Sequence, residues 1–286
     1  MQLVSLITIH YKREKHLCNL LRGLARNTEK PDEVIIVSIG KKATIETSYP
    51  FEIRNVVVPW SDTDTLPIAE ARNIGAEKAK GKKLIFLDVD CIPERDFIKK
   101  IKKYEENYGG LVMGNPYYLT RKLSETFSDY DLEKFSIAHP SRPQPKSINQ
   151  ELNYMLFWSL CFAIEKKQFN IIGGFDTAFT GYGGEDTDFA LRAKELNCPF
   201  YLCDAIVYHQ QHHIYMPPLN QFENIVNNAN LFFRKWELWP MENHLSEFTE
   251  LELIEWSEES TKPIEILHHP NNDMVTNSLV ENKPFR

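Results

Sequence analysis

Leu84-Ile85-Phe86-Leu87-Asp88-Val89-Asp90 decides how this chain reads. Four consecutive apolar residues after Gly81-Lys82-Lys83 are too few for a helix and suit a strand covered on both faces. The run ends in two carboxylates at i and i+2. Ligands of open α/β sheets bind outside the carboxyl ends of the strands. Two acids there can share a divalent cation and its phosphate ligand. The same triplet also fits a turn or cap before Pro93, but its place at the end of Leu-Ile-Phe-Leu favours chemistry.

Upstream, Leu3–Ile9, Val34–Ile39 and Ile53–Val58 are further apolar runs, and the polar turn Gly40-Lys41-Lys42 closes the second. Lys15–Arg26 carries Leu17, Leu20, Leu21 and Leu24 at helical spacing. Ile68–Lys80 reads as a helix between Pro67 and Gly81. Its Ala71, Gly75 and Ala79 form a face able to approach a sheet closely. This order predicts an α/β fold with a mostly parallel, doubly covered sheet.

Downstream, residues 94–108 form an amphipathic helix whose lysine pairs at 99–100 and 102–103 are a solvated face. Leu111–Asn115 is a strand, and 116–150, with Pro140, Pro143 and Pro145, reads as a long irregular loop. Ser159–Ile164 is a strand, Lys166–Ile172 a short helix and Asp186–Leu196 a helix. Phe200–Cys203 and Ala205–Tyr208 read as strands, and the tail from about 240 has only weak periodicity.

Composition narrows the classes. The chain has 286 residues, enough for one large domain or two small ones. With 33 Lys and Arg against 40 Asp and Glu, its net charge of −7 argues against a nucleic-acid binder. The cysteines at 18, 91, 161, 198 and 203 are odd in number and form no C-x-x-C pair, which argues against a disulfide framework or a structural zinc and for reduced thiols in the cytoplasm. The opening residues lack the basic region of a signal peptide. The uncharged stretch Leu152–Ile164 is too short to span a bilayer.

Four other segments carry candidate chemistry. Residues 173–189, Gly-Gly-Phe-Asp-Thr-Ala-Phe-Thr-Gly-Tyr-Gly-Gly-Glu-Asp-Thr-Asp-Phe, place glycines at 181, 183 and 184 before Glu185, Asp186 and Asp188. Glycine permits close backbone approach to a ligand, and acids opening a helix are favoured by its dipole. Asp186 fits either an N-cap or a general base facing a sugar hydroxyl. Tyr208-His209-Gln-Gln-His212-His213 follows a strand, and neutral imidazoles are common metal ligands; His209, nearest the strand end, is the first choice. Arg72, in Ala71-Arg-Asn-Ile-Gly75, could pair with a phosphate, with Asp88, or in a surface ion pair. His10-Tyr11-Lys12-Arg13 sets an aromatic beside cations at a strand end, where a base could stack and a phosphate bind.

Together these segments resemble the GT-A glycosyltransferases of the family 2 type. The second half is similar to the galactosyltransferase C-terminal region of β-1,4-galactosyltransferases, polypeptide N-acetylgalactosaminyltransferases and the bacterial chondroitin polymerase. The matching residues are Leu3–Arg13, Ala71–Gly75, the DXD motif Asp88-Val-Asp90, Gly174-Phe-Asp176 and Gly183-Gly-Glu-Asp186, and the likeness covers about residues 3–213. It implies a GT-A catalytic domain over 1–240, with a nucleotide-binding half at about 1–115 and an acceptor-binding half at about 150–215, followed by an extension over 241–286. It implies inverting transfer of a hexose or N-acetylhexosamine from a nucleotide-sugar, with Mn2+ or Mg2+, to a glycan or lipid-linked glycan.

By that resemblance Asp90 and His209 hold the metal, Asp88 contacts metal or ribose, and His10, Tyr11, Arg13 and Arg72 line the nucleotide. Asp186 is the base, and Glu185, Gly183, Gly184 and Trp158 face the acceptor. The resemblance departs at Val37-Ser-Ile-Gly40, where many relatives carry an acid that helps read uracil. A GDP-sugar thus stays open beside the favoured UDP-sugar, with Asp62 or Asp64 as the acids that would substitute. A cytoplasmic location is expected, with peripheral contact at the inner membrane face allowed through Tyr215–Pro218 or Phe232, Phe233, Trp236 and Trp239, aromatics that read first as packing residues.

Other classes fit less well. A sugar-nucleotide pyrophosphorylase would carry a glycine-rich basic loop where His10-Tyr-Lys-Arg stands. No G-x-G-x-x-G follows a strand, which disfavours a nicotinamide dehydrogenase. A metal-dependent nucleotide-sugar hydrolase could use Asp88, Asp90 and His209. A non-catalytic sugar-binding module would not need both the metal acids and Asp186.

Overall fold

The computed structural model describes residues 3–45, 47–61, 65–124, 126–281 and 283–284. Asp62 and Asp64 lie outside the described residues. The elements are β1 (Val4–His10), α1 (Glu14–Arg26), β2 (Glu33–Ile39), β3 (Glu52–Val58), α2 (Ile68–Lys78), β4 (Lys83–Leu87), β5 (Cys91–Pro93), α3 (Phe97–Tyr108), β6 (Leu111–Leu119), α4 (Asp129–Lys134), β7 (Ser136–Ala138), β8 (Asn149–Glu151), β9 (Cys161–Glu165), α5 (Lys166–Ile172), α6 (Glu185–Glu195), β10 (Phe200–His209), β11 (Ile214–Tyr215), α7 (Phe222–Trp236), α8 (Glu242–Glu250), α9 (Asn272–Asn277) and β12 (Leu279–Val280).

The main sheet runs β3-β2-β1-β4-β9-β6-β10-β5, with β7 added to β6 and β8 to β10. Strands β3, β2, β1 and β4 are parallel, as are β6 and β10, whereas β9 and β5 run against their neighbours. The expected mostly parallel α/β sheet is thus present. Alternation of side chains divides its two faces. Val34 and Ile36 join the α1 leucines and α3, while Ile35, Val37 and Ile39 pack with α2, α5 and α6. Gly75 lies where α2 meets β1: a Cβ there would stand 2.4 Å from Ile7 Cγ2. The small-residue face read from sequence is a real close approach.

Two readings need correction. Residues 116–150 are not one irregular loop: β6 continues through Leu119, and α4, β7 and β8 follow. Pro116 fits inside β6 because that flank pairs with β9 at Val112–Met113 and with β7 only from Tyr117, so no ladder partner is lost there. The two strands read over 200–208 are one, β10, with a register shift between Leu202 and Ile206. The tail, whose weak periodicity assigned it no role, packs into a core of its own. Trp239, Leu245, Phe248, Leu253, Ile254, Trp256 and Ile264 share a buried cluster with Leu219, Phe222, Ile225, Val226 and Ala229. Phe232 and Trp239 are buried, as packing residues should be. Among the described residues no helix is long and apolar enough to cross a membrane.

Candidate active site

Strand order places the chemistry. β1 lies between β2 and β4, so the chain reverses direction across the sheet here and a crevice opens at the carboxyl ends. His10 ends β1 and Asp88 follows β4. The acidic triplet forms a turn, closed by Cys91 N–H donating to Asp88 O (2.9 Å). β5 then pairs antiparallel with the end of β10, setting Cys91 opposite His209. Gln210 N–H donates to Asp90 O (2.7 Å). The short hook after the triplet thus carries Asp90 to the histidine loop.

Asp90 is buried among cations. Arg13 Nη1 bonds its Oδ2, His209 Nε2 stands 3.5 Å from Oδ1 and His212 Nε2 3.6 Å from Oδ2. Burial alone would raise the carboxyl; His209, Arg13, His212 and His16 overcome it and hold Asp90 well below the usual carboxylate range. α1 fixes the histidine loop from below: Asn19 Nδ2 donates to Gln210 Oε1 (2.7 Å) and Gln210 Nε2 to His16 O (3.2 Å). Ligand atoms of Asp90, His209 and His212 all lie within 4.8 Å of one another. One carboxylate and two imidazoles are a donor set for Mn2+ or a similar divalent ion. Burial, then Arg13, drives the His212 pKa down to about 4, so this imidazole is neutral and able to coordinate at pH 7. The residues fit a metal: His212 joins Asp90 and His209, while Asp88, also read from sequence as a ligand, is outside this group.

A second group begins at Asp88, which pairs with Arg72 and is not part of that cluster. Arg72, buried on α2, reaches Asp88 Oδ1 with Nη2 (3.6 Å) and Glu185 Oε1 with Nη1 (2.8 Å), its guanidinium lying over Phe175. The pairing of Arg72 with Asp88 read from sequence is present. Desolvation in the cleft raises the Asp88 carboxyl, Asp90 and Glu185 add to this and Arg72 opposes it, although the side chain keeps 38% exposure. Beside Glu185, Asp186 is pushed up to about 7 by burial first and by Glu185 second, against Arg72 and the backbone N–H groups of Thr187 and Ser159.

The glycine-rich loop has internal reasons for its glycines. Gly183 and Gly184 have φ of +93° and +88°. A Cβ on Gly183 would stand 2.2 Å from Met241 Sδ, and one on Gly181 2.5 Å from Asn224. What approaches these backbones is α7 and the tail. Asn228 Nδ2 donates to Thr180 O (2.9 Å) and Tyr182 O (3.1 Å). Asp188 is structural: fully buried, it accepts from Arg192 Nε (2.9 Å), Trp236 Nε1 (3.0 Å) and Lys235 Nζ (2.6 Å).

The remaining candidates scatter along the cleft. Tyr11 packs edge-on against Trp60 at 4.9 Å. His10 is buried, with its pKa lowered by desolvation and Glu14 3.9 Å away. Ser38, where an acid was missing, accepts from Ala43 N–H (3.1 Å) and donates to Asn55 Oδ1 (2.9 Å). Trp158 lies under the Arg142 guanidinium. Sequence reasoning missed Arg142 and the work of Asn73, which donates to Phe175 O (2.8 Å) and accepts from Phe175 N–H (2.8 Å). An asparagine beside Arg72 in a small-residue helix was the available signal; for Arg142 there was none.

Known proteins are similar to this chain in sequence and in fold. Residues 6–229 match the family described as "Glycosyltransferase like family 2". An uncharacterized glycosyltransferase of Haemophilus influenzae is 31% identical over 194 residues, 66% of this chain and 61% of the relative. Validoxylamine A glucosyltransferase of Streptomyces hygroscopicus subsp. limoneus is 26% identical, covering 69% of this chain and 49% of that one. Chondroitin synthase of Pasteurella multocida is 25% identical over 73% of this chain, only 25% of its own length. The match thus spans 61% and 49% of the first two relatives. In fold, the chain is similar to S. aureus TarS 1-349 in complex with UDP-GlcNAc (TM-score 0.57, 16% identity, 86% of this chain, 71% of that one). It is also similar to GalNAc-T7 with UDP, GalNAc and Mn2+ (TM-score 0.54, 15% identity, 73% and 43%). The chain belongs to the glycosyltransferase family 2-like family and has the GT-A fold.

Proposed function

We propose that this chain transfers a hexose or N-acetylhexosamine from a nucleotide-sugar, with a UDP-sugar first in line, to a hydroxyl of a glycan or lipid-linked glycan, with inversion and with a divalent cation. The carrying observation is the Arg72 bridge, which joins Asp88 at the metal turn to Glu185 beside Asp186. Donor and acceptor chemistry then share one cleft. The UDP-GlcNAc bound to TarS and the UDP and Mn2+ bound to GalNAc-T7 support the donor class.

Asp90, His209 and His212 would hold the cation, which supplies positive charge against a diphosphate leaving group. His10, Tyr11 and Arg13 line the nucleotide side, and Asp88 faces ribose or a metal-bound water. Asp186 accepts the proton of the attacking hydroxyl; its pKa of about 7 suits a base that must both take and release a proton near neutrality. Arg72 keeps Glu185 aligned for the acceptor sugar, and one base suffices because the leaving group needs no protein acid. The halves at about 1–115 and 150–215 serve donor and acceptor respectively. The segment from 241 backs the acceptor loop through Met241.

The test is thermal shift and donor hydrolysis with UDP-, GDP- and dTDP-sugars, each with and without Mn2+. Metal-dependent stabilisation and hydrolysis with one nucleotide class is expected. No response to any nucleotide overturns the reading.

A further inference from the structure

One cation at the cleft belongs to none of the motifs. Arg142 sits on the turn after β7, where its N–H donates to His139 O (3.1 Å). It is only 8% exposed. The guanidinium lies 3.8 Å from the centroid of Trp158, with Nη2 directed at Met113 Sδ (3.3 Å). His139 meets the same indole edge-on at 5.4 Å. Trp158 is therefore a platform for the arginine. The next residue, Ser159, has its backbone N–H close enough to Asp186 to help lower that carboxyl's pKa, so the guanidinium stands on the side of the proposed base.

Charge pairing sets Arg142 apart. Arg13 has Asp90, and Arg72 has Glu185 and Asp88. Among the described residues, no carboxylate lies within ion-pair distance of Arg142. Asp186 and Glu151 act on it from farther off, and burial lowers its pKa. A buried cation without a counter-charge is costly. Stacked on an aromatic face, a guanidinium presents a planar fork matched to a carboxylate or phosphate.

We propose that Arg142 reads an anionic group, a carboxylate or a phosphate, on the acceptor next to the hydroxyl that Asp186 deprotonates. The inference rests on the transferase reading given above and narrows its acceptor to an acidic one. The donor diphosphate is the other anion at hand, but it belongs with Asp90; of the groups that weigh on Arg142 (Tyr118, Cys161, Asp186 and Glu151), Asp186 belongs to the proposed acceptor side.

Matched acceptors test this, using whichever donor the wild type hydrolyses. The pairs are methyl β-glucuronide against methyl β-glucoside, for the carboxylate, and glycerol 1-phosphate against glycerol, for the phosphate. Calorimetric binding of the same compounds to enzyme loaded with UDP and Mn2+ reads the preference without turnover. The wild type should favour the anionic member of one pair by at least about tenfold. Arg142→Gln should bring that ratio near one whatever the absolute rates do, and Arg142→Lys, which keeps charge without the fork, should fall between. Thermal unfolding of both variants checks that they fold. A wild type without anion preference in both assays, or a ratio unchanged in Arg142→Gln, overturns the proposal. A loss that falls on donor KM equally for both members of a pair assigns the guanidinium to the donor phosphates and also overturns it. A wild type that neither binds UDP with Mn2+ nor hydrolyses any donor sinks the transferase reading itself.

Discussion

Asp186 carries a burden that two measurements should reveal from opposite sides. Its carboxyl is raised from an ordinary 3.8 to about 7, chiefly by burial. As the proposed base, Asp186 must act in its ionised form, so kcat/KM should climb as pH rises through about 7. Stability runs the other way. Below about pH 4 the side chain is protonated in both folded and unfolded chains and contributes nothing. Between there and about 7 the unfolded chain releases its proton first, and the fold loses stability. Asp186→Asn should therefore be more stable than wild type at pH 8, by up to about 4 kcal/mol, and alike at pH 4. Its transfer rate should fall by about 10²–10⁴-fold with donor binding retained. Unchanged transfer would remove Asp186 as the base. At the cation group, Asp90→Asn or His212→Ala should weaken Mn2+ binding more than about tenfold by calorimetry. Asp88, Asp90 and His209 were legible because they stand at strand ends. His212 could be singled out only once β5 had hooked Asp90 back to its loop. Arg142 was illegible because its significance lies in a contact with Trp158, distant in sequence and without periodicity.

At the scale of elements, side chains from α2 and α7 hold the loops that matter. Asn73 imitates a strand neighbour for Phe175, and its replacement by alanine leaves two backbone groups without partners. Asn73→Ala should cost about 1–3 kcal/mol in chemical denaturation and lower kcat by loosening the path to Glu185. Gly183→Ala combines a φ of +93° with a Cβ driven into Met241. It should lower both melting temperature and transfer rate, more than Gly109→Ala, which has φ of +64° but meets nothing within 4 Å. Strands β1, β2 and β4 were readable because they are buried on both faces and so nearly continuously apolar. The segment 116–150 was misread because β7 and β8 are three residues each, borrowing their order from β6 and β10. The split at 203–205 was a bulge, which a period-two pattern registers as a break.

For the whole molecule, the tail's weak periodicity concealed its part in the core. Its helices are short and its apolar residues widely spaced, so neither template fits, yet Leu245, Phe248 and Trp256 are as buried as strand residues. Removing residues 241–286 strips their partners from Phe222, Ile225 and Val226. At about 1.5–3 kcal/mol for each large apolar side chain left exposed, the shortened chain should melt more than about 10 °C lower by calorimetry. An unchanged melting temperature would mean that the tail is an independent appendage.

The bond from Trp236 Nε1 to buried Asp188 (3.0 Å) has an optical consequence. An indole fastened to the first turn of α6 is a fluorophore wired to the helix that presents Asp186. Its emission should shift whenever acceptor binding moves that turn. A Trp236→Phe control would subtract the remaining tryptophans, so occupancy of the acceptor side could be followed in real time without labelling any sugar.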